Sequence, residues 1–386
     1  MLSTVSSHGP GGLSALVRRL RRALSQDWEV AEAARFAFDG PGRVDYAARE
    51  TERTFGSGHG GEVRILAPSR VAGAALPRVH HLVNRPRLAG LGIAAFSAAY
   101  RRAVARAVPA RTDLVHAVGT GWELLGFAAL REARERGIPF AVTPALHPGS
   151  WGDSPVDARL YRSADAVLSL SRHEREHVIG LGVDPGKVHI VPLGPAVETT
   201  GDGARFRERH DLGTRPLVLF VARKQRYKGY HSLCAAMDEV LRAAPESCLV
   251  TIGKDAEPPY PAIRAGAHLD LGACGDQEKA DALAACDVFC MPSEGEALGI
   301  AYLEAWAYGK PVVAGPAPAV RELVEDGVTG LCVENDAGAV GRALTRLLLD
   351  PALRDRLGSA GRSLQQRQFT WEAAADAHDR VFRSLL

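Results

Sequence analysis

Long hydrophobic runs are missing from this 386-residue sequence, whose longest apolar stretch, LAGLGIAAFSAAY (88–100), is shorter than the roughly 20 residues that span a membrane. The start, MLSTVSSHGPGG, has neither the charged nor the apolar region of a signal peptide. Both absences predict a soluble, cytoplasmic protein. Cysteine is absent from the first half, and the six cysteines of the second half form no CxxC pair, which disfavours a zinc or disulfide framework.

Lysine is also scarce, because it occurs at only six positions and arginine supplies nearly all of the basic residues. The formal net charge is +2, and no Lys/Arg block is interleaved with aromatic residues, so we expect no nucleic-acid partner. Hydrophobic residues at 46% and charged residues at 24% are typical of a globular protein. No feature of the sequence indicates an oligomeric state.

Strand-like apolar runs alternate with helix-like periodicity along the chain, a pattern typical of βα units in parallel sheets. The first half predicts strands at 2–6, 63–67, 114–118, 139–143, 166–170 and 188–192. A polar stretch at 193–216 is interpreted as a linker. A second series then predicts strands at 217–222, 248–253, 287–291, 311–315 and 330–334. The stretch 40–62, rich in glycine and charge, has no place in either series and is interpreted as a loop.

These two series predict an α/β protein with two Rossmann-like, doubly wound domains, residues 1–194 and 195–369. Folds of this kind bind ligands at the carboxyl ends of their strands, so we expect the domains to flank a deep cleft. The amphipathic helix 370–386 follows the complete second sheet, and we expect it to pack back on the first domain.

The segment SEGEALGIAYLEA (293–305) places Glu296 and Glu304 eight positions apart in a stretch of mostly small and apolar residues. The pattern predicts a helix from about 298 to 308, with Gly299 in its first turn, where free N–H groups and the helix dipole favour an anion. Carboxylates beside such a site would repel a phosphate, so hydroxyl groups are their expected partners. The alternative, an exposed turn residue and a solvated helix residue, is equally compatible with the spacing.

A second candidate cluster is FVARKQRYKGY (220–230), which follows the first predicted strand of the second domain. Its basic residues are Arg223, Lys224, Arg226 and Lys228. Arginine suits bidentate phosphate contacts, and lysine supplies a compact charge. The alternative is a solvated basic loop, which does not explain why the cluster lies at the end of a strand.

The run PSEGEALGIAYLEAWAYGKPVVA resembles the signature of glycosyltransferase family 4, Glu-x7-Glu followed by Ala-x-Ala-x-Gly-x-Pro-Val-Val. VARKQRYKGY is similar to the Arg…Lys-Gly diphosphate clamp of that family, and ALAACDVFCMPS and VRELVEDGVTGLCV are similar to its flanking segments. The resemblance covers 105–386 well and 1–104 poorly. It implies the GT-B fold, in which two Rossmann-like domains form the enzyme.

The resemblance also implies roles for matching residues. Glu304 would hold the ribose hydroxyls of a nucleotide sugar, and Glu296 would hold the transferred sugar. Arg223 and Lys228 would neutralise the leaving diphosphate. Further donor contacts would come from the backbone of Ala297, Leu298, Gly299 and Ile300, and from Gly11 and Gly12 in the glycine-rich GPGG (9–12).

VTPALHPGSWGD (142–153) resembles a family segment in which a histidine faces the transferred sugar. His147 is the predicted residue, because it follows a strand end and precedes the turn-forming Pro148 and Gly149. His116, in LVHAV, remains the alternative, and both are interpreted as lying at the ends of first-domain strands.

The resemblance thus implies a retaining hexosyltransferase that uses a UDP-type or GDP-type nucleotide sugar, and we expect a small-molecule acceptor, such as an antibiotic or other secondary metabolite. Asp-x-Asp is absent, so we expect no metal and no cofactor besides the donor. A membrane-surface enzyme acting on a lipid or polysaccharide is an alternative, suggested by Arg18, Arg19, Arg21 and Arg22 beside an apolar helix face. A non-catalytic nucleotide-sugar-binding scaffold is another. An NAD-dependent oxidoreductase is disfavoured, because GPGG is not a GxGxxG fingerprint.

Overall fold

The computed structural model describes residues 1–5, 7, 12–36, 52–57, 61–68, 73–74, 76–119, 124–149, 151–197 and 199–386. These residues form two compact units. The first consists of Met1–Leu193 with Trp371–Leu386, and the second of Gly194–Thr370.

The first unit contains, within its described residues, an eight-stranded sheet in the order β3-β4-β2-β1-β5-β6-β7-β8. The strands are β1 (Leu2–Val5), β2 (Glu32–Phe36), β3 (Arg53–Ser57), β4 (Gly61–Ile65), β5 (Val115–Val118), β6 (Phe140–Thr143), β7 (Ala166–Ser169) and β8 (Val188–Ile190). The helices are Gly12–Leu24, Leu76–Val83, Ala89–Ala107, Leu125–Arg136, Pro155–Ser163, Arg172–Gly180 and Trp371–Leu385. Only β3 and β4 pair antiparallel among the described strands, and the order changes direction between β1 and β5, as in a doubly wound sheet.

Strand β2 was not predicted. It is fully buried, but two of its five residues are charged, and a charged sequence pattern does not indicate a buried strand. Glu32 accepts a hydrogen bond from Arg21 at 2.8 Å, and both side chains are almost fully buried. The guanidinium of Arg35 lies 4.7 Å from the ring centre of Phe36 and 5.2 Å from that of Phe96. A cation–π contact and a buried ion pair therefore allow charges where a sequence pattern indicates solvent.

The interpretation of 40–62 as a loop was wrong for the part that the structure describes. Arg53–Ser57 and Gly61–Ile65 form the antiparallel pair of β3 and β4, while 37–51 and 58–60 lie outside the described residues. The segment GSGHGG (56–61) does have GxGxxG spacing, but it runs from one strand into another. A dinucleotide fingerprint requires a helix to follow the glycines, so this segment is not one.

The apolar face of the helix Gly12–Leu24, beside which the membrane-surface alternative placed four arginines, is buried, while Arg22 is exposed and Arg18 and Arg19 are half-buried. The apolar residues Leu16, Val17 and Leu20 are buried, and Arg21 is bound to Glu32 inside the unit. The helix packs against the C-terminal helix Trp371–Leu385, which covers the face that a bilayer would need. Among the described residues, no helix combines the length and apolarity that a membrane crossing requires.

The second unit contains a six-stranded parallel sheet in the order β11-β10-β9-β12-β13-β14. The strands are β9 (Leu217–Val221), β10 (Cys248–Ile252), β11 (His268–Asp270), β12 (Val288–Met291), β13 (Val312–Ala314) and β14 (Leu331–Cys332). The helices are Gly203–Arg209, Tyr230–Ala243, Asp276–Ala285, Ile300–Ala307, Pro318–Leu323, Ala337–Leu349 and Pro351–Gln368. The central strands are buried on both faces, which explains their continuous apolar sequences. The chain leaves β9 in one direction and returns at β12, so the switch point of the sheet lies between these two strands.

The segment 193–216, predicted to be a linker, contains the helix Gly203–Arg209, so the part without regular secondary structure is shorter than predicted. Asp202 caps this helix by accepting hydrogen bonds from the backbone of the first helical turn. Asp281, on the helix Asp276–Ala285, accepts from the backbone of Asp202 at 2.8 Å and from Arg205 at 2.6 Å. The helix Gly203–Arg209 is therefore held by side-chain contacts within the second unit.

Candidate functional site

Two loops meet at the switch point of the second sheet, one after β9 and the other after β12. The backbone N–H of Glu294 donates to the carbonyl of Tyr227 at 2.7 Å and joins them. Gly229 has φ +79°, and a Cβ at this position would lie 2.3 Å from a side-chain carbon of Pro292. Glycine is thus required for the close approach of the two loops.

Gly299 lies immediately before the helix Ile300–Ala307 and not in its first turn as predicted. Its φ is +94°, and an added Cβ would lie 2.6 Å from the ring of Tyr302. Within the described residues, the backbone N–H groups of Ala297, Leu298, Gly299 and Ile300 donate no hydrogen bond. A run of unused N–H groups at a helix start, around a left-handed glycine, is a natural anion site.

Glu296 is buried and forms an ion pair with Lys228, which excludes its interpretation as an exposed turn residue. The Lys228 ammonium donates to Glu296 Oε1 at 2.6 Å and also reaches the carbonyl of Gly295 at 3.4 Å. The two side chains are 11% and 8% exposed. The lysine of one loop therefore fixes the carboxylate of the other beside the anion site.

Glu304 is also buried, within the helix Ile300–Ala307, and pairs with a lysine that sequence reasoning missed. Lys279, on the helix Asp276–Ala285, donates to Glu304 Oε1 at 2.7 Å. The side chains are 17% and 5% exposed. The signal in the sequence is weak, because Lys279 lies in the charged run DQEK, which is typical of a solvated helix start.

The basic cluster 223–228 divides into two groups in the structure. Lys224 is buried and bound to the carboxylates of Asp255 and Asp270. Burial opposes its charge, but the hydrogen bonds that Lys224 donates to both carboxylates outweigh this effect and raise the pKa of Lys224. The charge of Lys224 is therefore neutralised by carboxylates inside the unit. Arg223 and Arg226, in contrast, are exposed, and Lys228 forms its ion pair with Glu296.

The two candidate histidines occupy different environments in the first unit. His147 follows β6 and is half-buried in a tight turn, where its ring centre lies 4.4 Å from that of Trp151. His116 is the second residue of β5, not at a strand end as interpreted, and its Nε2 lies 2.8 Å from the Thr143 hydroxyl. Burial lowers the pKa of His116 well below its usual range, as expected for a neutral core residue. Contact of His147 with a sugar stays a prediction.

The other predicted donor contacts have different local settings. Ala297 and Leu298 are buried and Ile300 is half-buried. Their side chains are apolar, so hydrogen bonds to a ligand would have to come from their backbone N–H groups. Gly12 is the first residue of the helix Gly12–Leu24, and Gly11 lies outside the described residues.

The arrangement in the second unit is electrostatically suited to an anion with hydroxyl groups near it. An unpaired carboxylate about 8 Å from a phosphate costs about 2 kcal/mol at an effective dielectric constant of 20. Pairing each glutamate with a lysine removes this penalty, while the carboxylate oxygens can still accept hydrogen bonds. The site therefore reconciles two glutamates with an anion, which the sequence alone did not explain.

Comparisons with known proteins match both halves of the chain to glycosyltransferases. Two family models match, "Glycosyl transferase 4-like domain" at residues 11–194 and "Glycosyl transferases group 1" at residues 203–364. A D-inositol 3-phosphate glycosyltransferase from Frankia alni is 32% identical over 329 residues, which cover 76% of this chain and 79% of the relative. A GDP-mannose-dependent alpha-(1-6)-phosphatidylinositol monomannoside mannosyltransferase from Mycolicibacterium smegmatis is 32% identical over 275 residues, which cover 64% and 70%.

Solved structures show the same architecture. Sucrose-phosphate synthase from Thermosynechococcus elongatus has a TM-score of 0.75 at 23% identity, with 100% of this chain and 98% of that chain covered. HepE from Anabaena, in complex with UDP and glucose, has a TM-score of 0.71 at 16% identity, with 100% and 99% covered. At these identities the likeness establishes the fold.

Proposed function

Because the chain belongs to glycosyltransferase family 4 and has the GT-B fold, we propose that it transfers a hexose-type sugar from a nucleotide diphosphate sugar to an acceptor hydroxyl. The transfer retains the anomeric configuration and needs no metal ion. The donor is a UDP or GDP sugar, and no further cofactor takes part. The observation that carries this proposal is the set of unused N–H groups at the start of the helix Ile300–Ala307, bracketed in sequence by two Lys–Glu pairs.

Each part of the site has a distinct task in this reaction. The N–H groups before the helix, with Lys228 and Arg223, stabilise the negative charge that develops on the leaving diphosphate. Glu296 accepts hydrogen bonds from the transferred sugar, and Glu304 accepts them from the ribose. The bond from the anomeric carbon to the phosphate oxygen breaks, and the acceptor oxygen bonds to that carbon on the same face. The acceptor proton passes to the departing phosphate oxygen, so no protein nucleophile is required.

The acceptor we propose is a small molecule with free hydroxyl groups. The name of the Frankia alni relative, which specifies an inositol 3-phosphate, supports a polyol phosphate as the first compound to test. A lipid-linked acceptor is the second candidate, supported by the name of the Mycolicibacterium smegmatis relative. The buried apolar face of the helix Gly12–Leu24 does not favour the second candidate.

The test begins with a thermal-shift screen of UDP and GDP sugars, followed by mass spectrometry of the products with inositol phosphates and their lipid-linked forms as acceptors. We expect one donor to stabilise the protein and to release its nucleoside diphosphate together with a glycosylated product. Glu304→Ala should weaken donor binding and transfer, whereas Glu246→Ala, which removes an exposed carboxylate of the same unit, should change neither. Binding without any transfer would support the non-catalytic scaffold, and absence of binding by every donor would overturn the proposal.

A further inference from the structure

Lys279 has no role in the reaction outlined above, although it is bound to Glu304, which does. Its helix, Asp276–Ala285, brings its ammonium to 2.7 Å from Glu304 Oε1. Both side chains are largely removed from water, at 17% and 5% exposure. The residue therefore shares the surroundings of a carboxylate that we assign to ligand binding.

The pair has hydrogen-bonding capacity to spare. An ammonium has three donors, and a carboxylate accepts about four hydrogen bonds. Within the described residues, the bond between Lys279 and Glu304 is the one hydrogen bond that either side chain makes. A contrasting case in the same unit is Lys224, whose ammonium is bound to two carboxylates, Asp255 and Asp270.

Spare donors next to spare acceptors are complementary to hydroxyl groups, which donate and accept at once. A vicinal diol presents two such groups side by side. A phosphate would be repelled by the carboxylate, and an apolar group would leave the spare donors of Lys279 and the spare acceptors of Glu304 without partners. The chemistry of the pair thus selects a diol over the other groups of a nucleotide sugar.

We propose that Lys279 and Glu304 together bind the ribose diol of the nucleotide donor, and that Lys279 makes the site prefer a ribonucleotide to a deoxyribonucleotide. This inference rests on the proposed function. Glu304 accepts from the ribose hydroxyls, while Lys279 donates to a ribose oxygen and keeps the carboxylate in place. Lys279 is then a determinant of donor specificity and not only a link between two helices.

The test is a double-mutant cycle between protein and ligand. Dissociation constants are measured by calorimetry for UDP and 2′-deoxy-UDP, and for GDP and 2′-deoxy-GDP, with the unchanged protein and with Lys279→Met. Lys310→Met is the matched control, because it makes the same substitution at a half-buried lysine of the same unit. If Lys279→Met does not fold, as judged by circular dichroism, Lys279→Gln replaces it.

We expect the unchanged protein and Lys310→Met to bind the ribonucleotide about tenfold or more tighter, the factor expected for a hydrogen bond to a charged group. In Lys279→Met this preference should fall to about twofold. An equal loss of affinity for both nucleotides would overturn the inference, since a purely structural link does not distinguish the 2′-hydroxyl, and it would leave the proposed function standing. Failure of the unchanged protein to bind any of the four nucleotides would overturn the proposed function and this inference with it.

Discussion

Two side-chain pairs account for the unusual chemistry of SEGEALGIAYLEA. Glu296 is held by Lys228 from the loop after β9, and Glu304 by Lys279 from a neighbouring helix. Breaking a buried ion pair by removing one partner costs far more than the pair contributes when it is intact, because the remaining charge is left without a counter-ion. Variants at these residues therefore need a stability measurement beside every activity measurement.

Lys228→Ala should lower kcat by about a hundredfold or more, since the proposed reaction assigns Lys228 to the leaving diphosphate, where negative charge develops. The fold should persist, because the loop is also held by the hydrogen bond from the Glu294 N–H to Tyr227. Steady-state kinetics and circular dichroism measured together check both statements. A folded variant with full kcat would remove Lys228 from the mechanism.

Gly299→Ala should reduce both stability and activity. The substitution places a Cβ at φ +94° and about 2.6 Å from the ring of Tyr302, so the start of the helix must shift together with its N–H groups. Gly266→Ala is the matched control, because φ is +77° there but no atom lies within 4 Å of the added Cβ. The control should lose about 1 kcal/mol for its left-handed backbone, and Gly299→Ala clearly more. Equal melting temperatures and equal activities in the two variants would contradict this account.

At the scale of the elements, the C-terminal helix Trp371–Leu385 carries a buried histidine that makes its packing depend on pH. His378 is fully buried on it, and its ring centre lies 5.8 Å from that of His116 in β5. Burial lowers the pKa of His378 to about 4. Its Nδ1 lies 2.7 Å from the carbonyl of Ala374, a contact that favours the protonated ring, but burial outweighs this effect.

The stability of this helix should decline as the solution is acidified. The unfolded chain takes up a proton on histidine below about pH 6.5, whereas folded His378 does so only near pH 4, so stability is present above pH 6.5 and is lost between these values. The total loss from His378 is about 3 kcal/mol. Hydrogen exchange of Trp371–Leu385, corrected for intrinsic rates, should show this decline, and His378→Phe should show a smaller one. An unchanged decline in His378→Phe would assign the effect to other groups.

The elements that sequence reasoning predicted correctly are those governed by apolar patterning. The strands at 217–222 and 248–253 are found within one residue of their predicted ends, because parallel strands buried on both faces read as continuous apolar runs. Strand β2 and the helix Gly203–Arg209 were missed, because their charged residues find partners distant in sequence. Lys279 was missed for the same reason, since its partner Glu304 is 25 residues away on another helix. A contact of that kind leaves no local signal.

At the scale of the whole molecule, two residues that the resemblance identified in the second unit, Glu296 and Lys228, are in contact, and the positions in the first unit remain less defined. The two residues meet because β9 and β12 are neighbours and their carboxyl ends lie at one edge of the sheet. Gly11 lies outside the described residues, so its proposed contact with the donor remains a prediction. The family model nevertheless extends back to residue 11 and so includes most of residues 1–104, which the resemblance covered poorly.

Transfer should continue after treatment with EDTA. In the proposed reaction, backbone N–H groups and basic side chains supply the positive charge that a metal ion would otherwise bring to the diphosphate. Initial rates before and after chelation, with and without added Mg²⁺ or Mn²⁺, measure this directly. A rate that vanishes with EDTA and returns with the ion would contradict metal-independent transfer.

The pair of Lys228 and Glu296 has a consequence for the end of the catalytic cycle. In the proposed reaction Lys228 contacts the diphosphate, and Glu296, which accepts a hydrogen bond from Lys228 at 2.6 Å, would then compete with the product for this ammonium. On this proposal, Glu296 would pair with Lys228 again as the nucleoside diphosphate leaves, which would make product release easier. Glu296→Gln should therefore bind UDP or GDP more tightly than the unchanged protein while transferring sugar more slowly, a combination that calorimetry and product-inhibition kinetics would detect. Weaker product binding in this variant would show that Glu296 does not compete for the lysine.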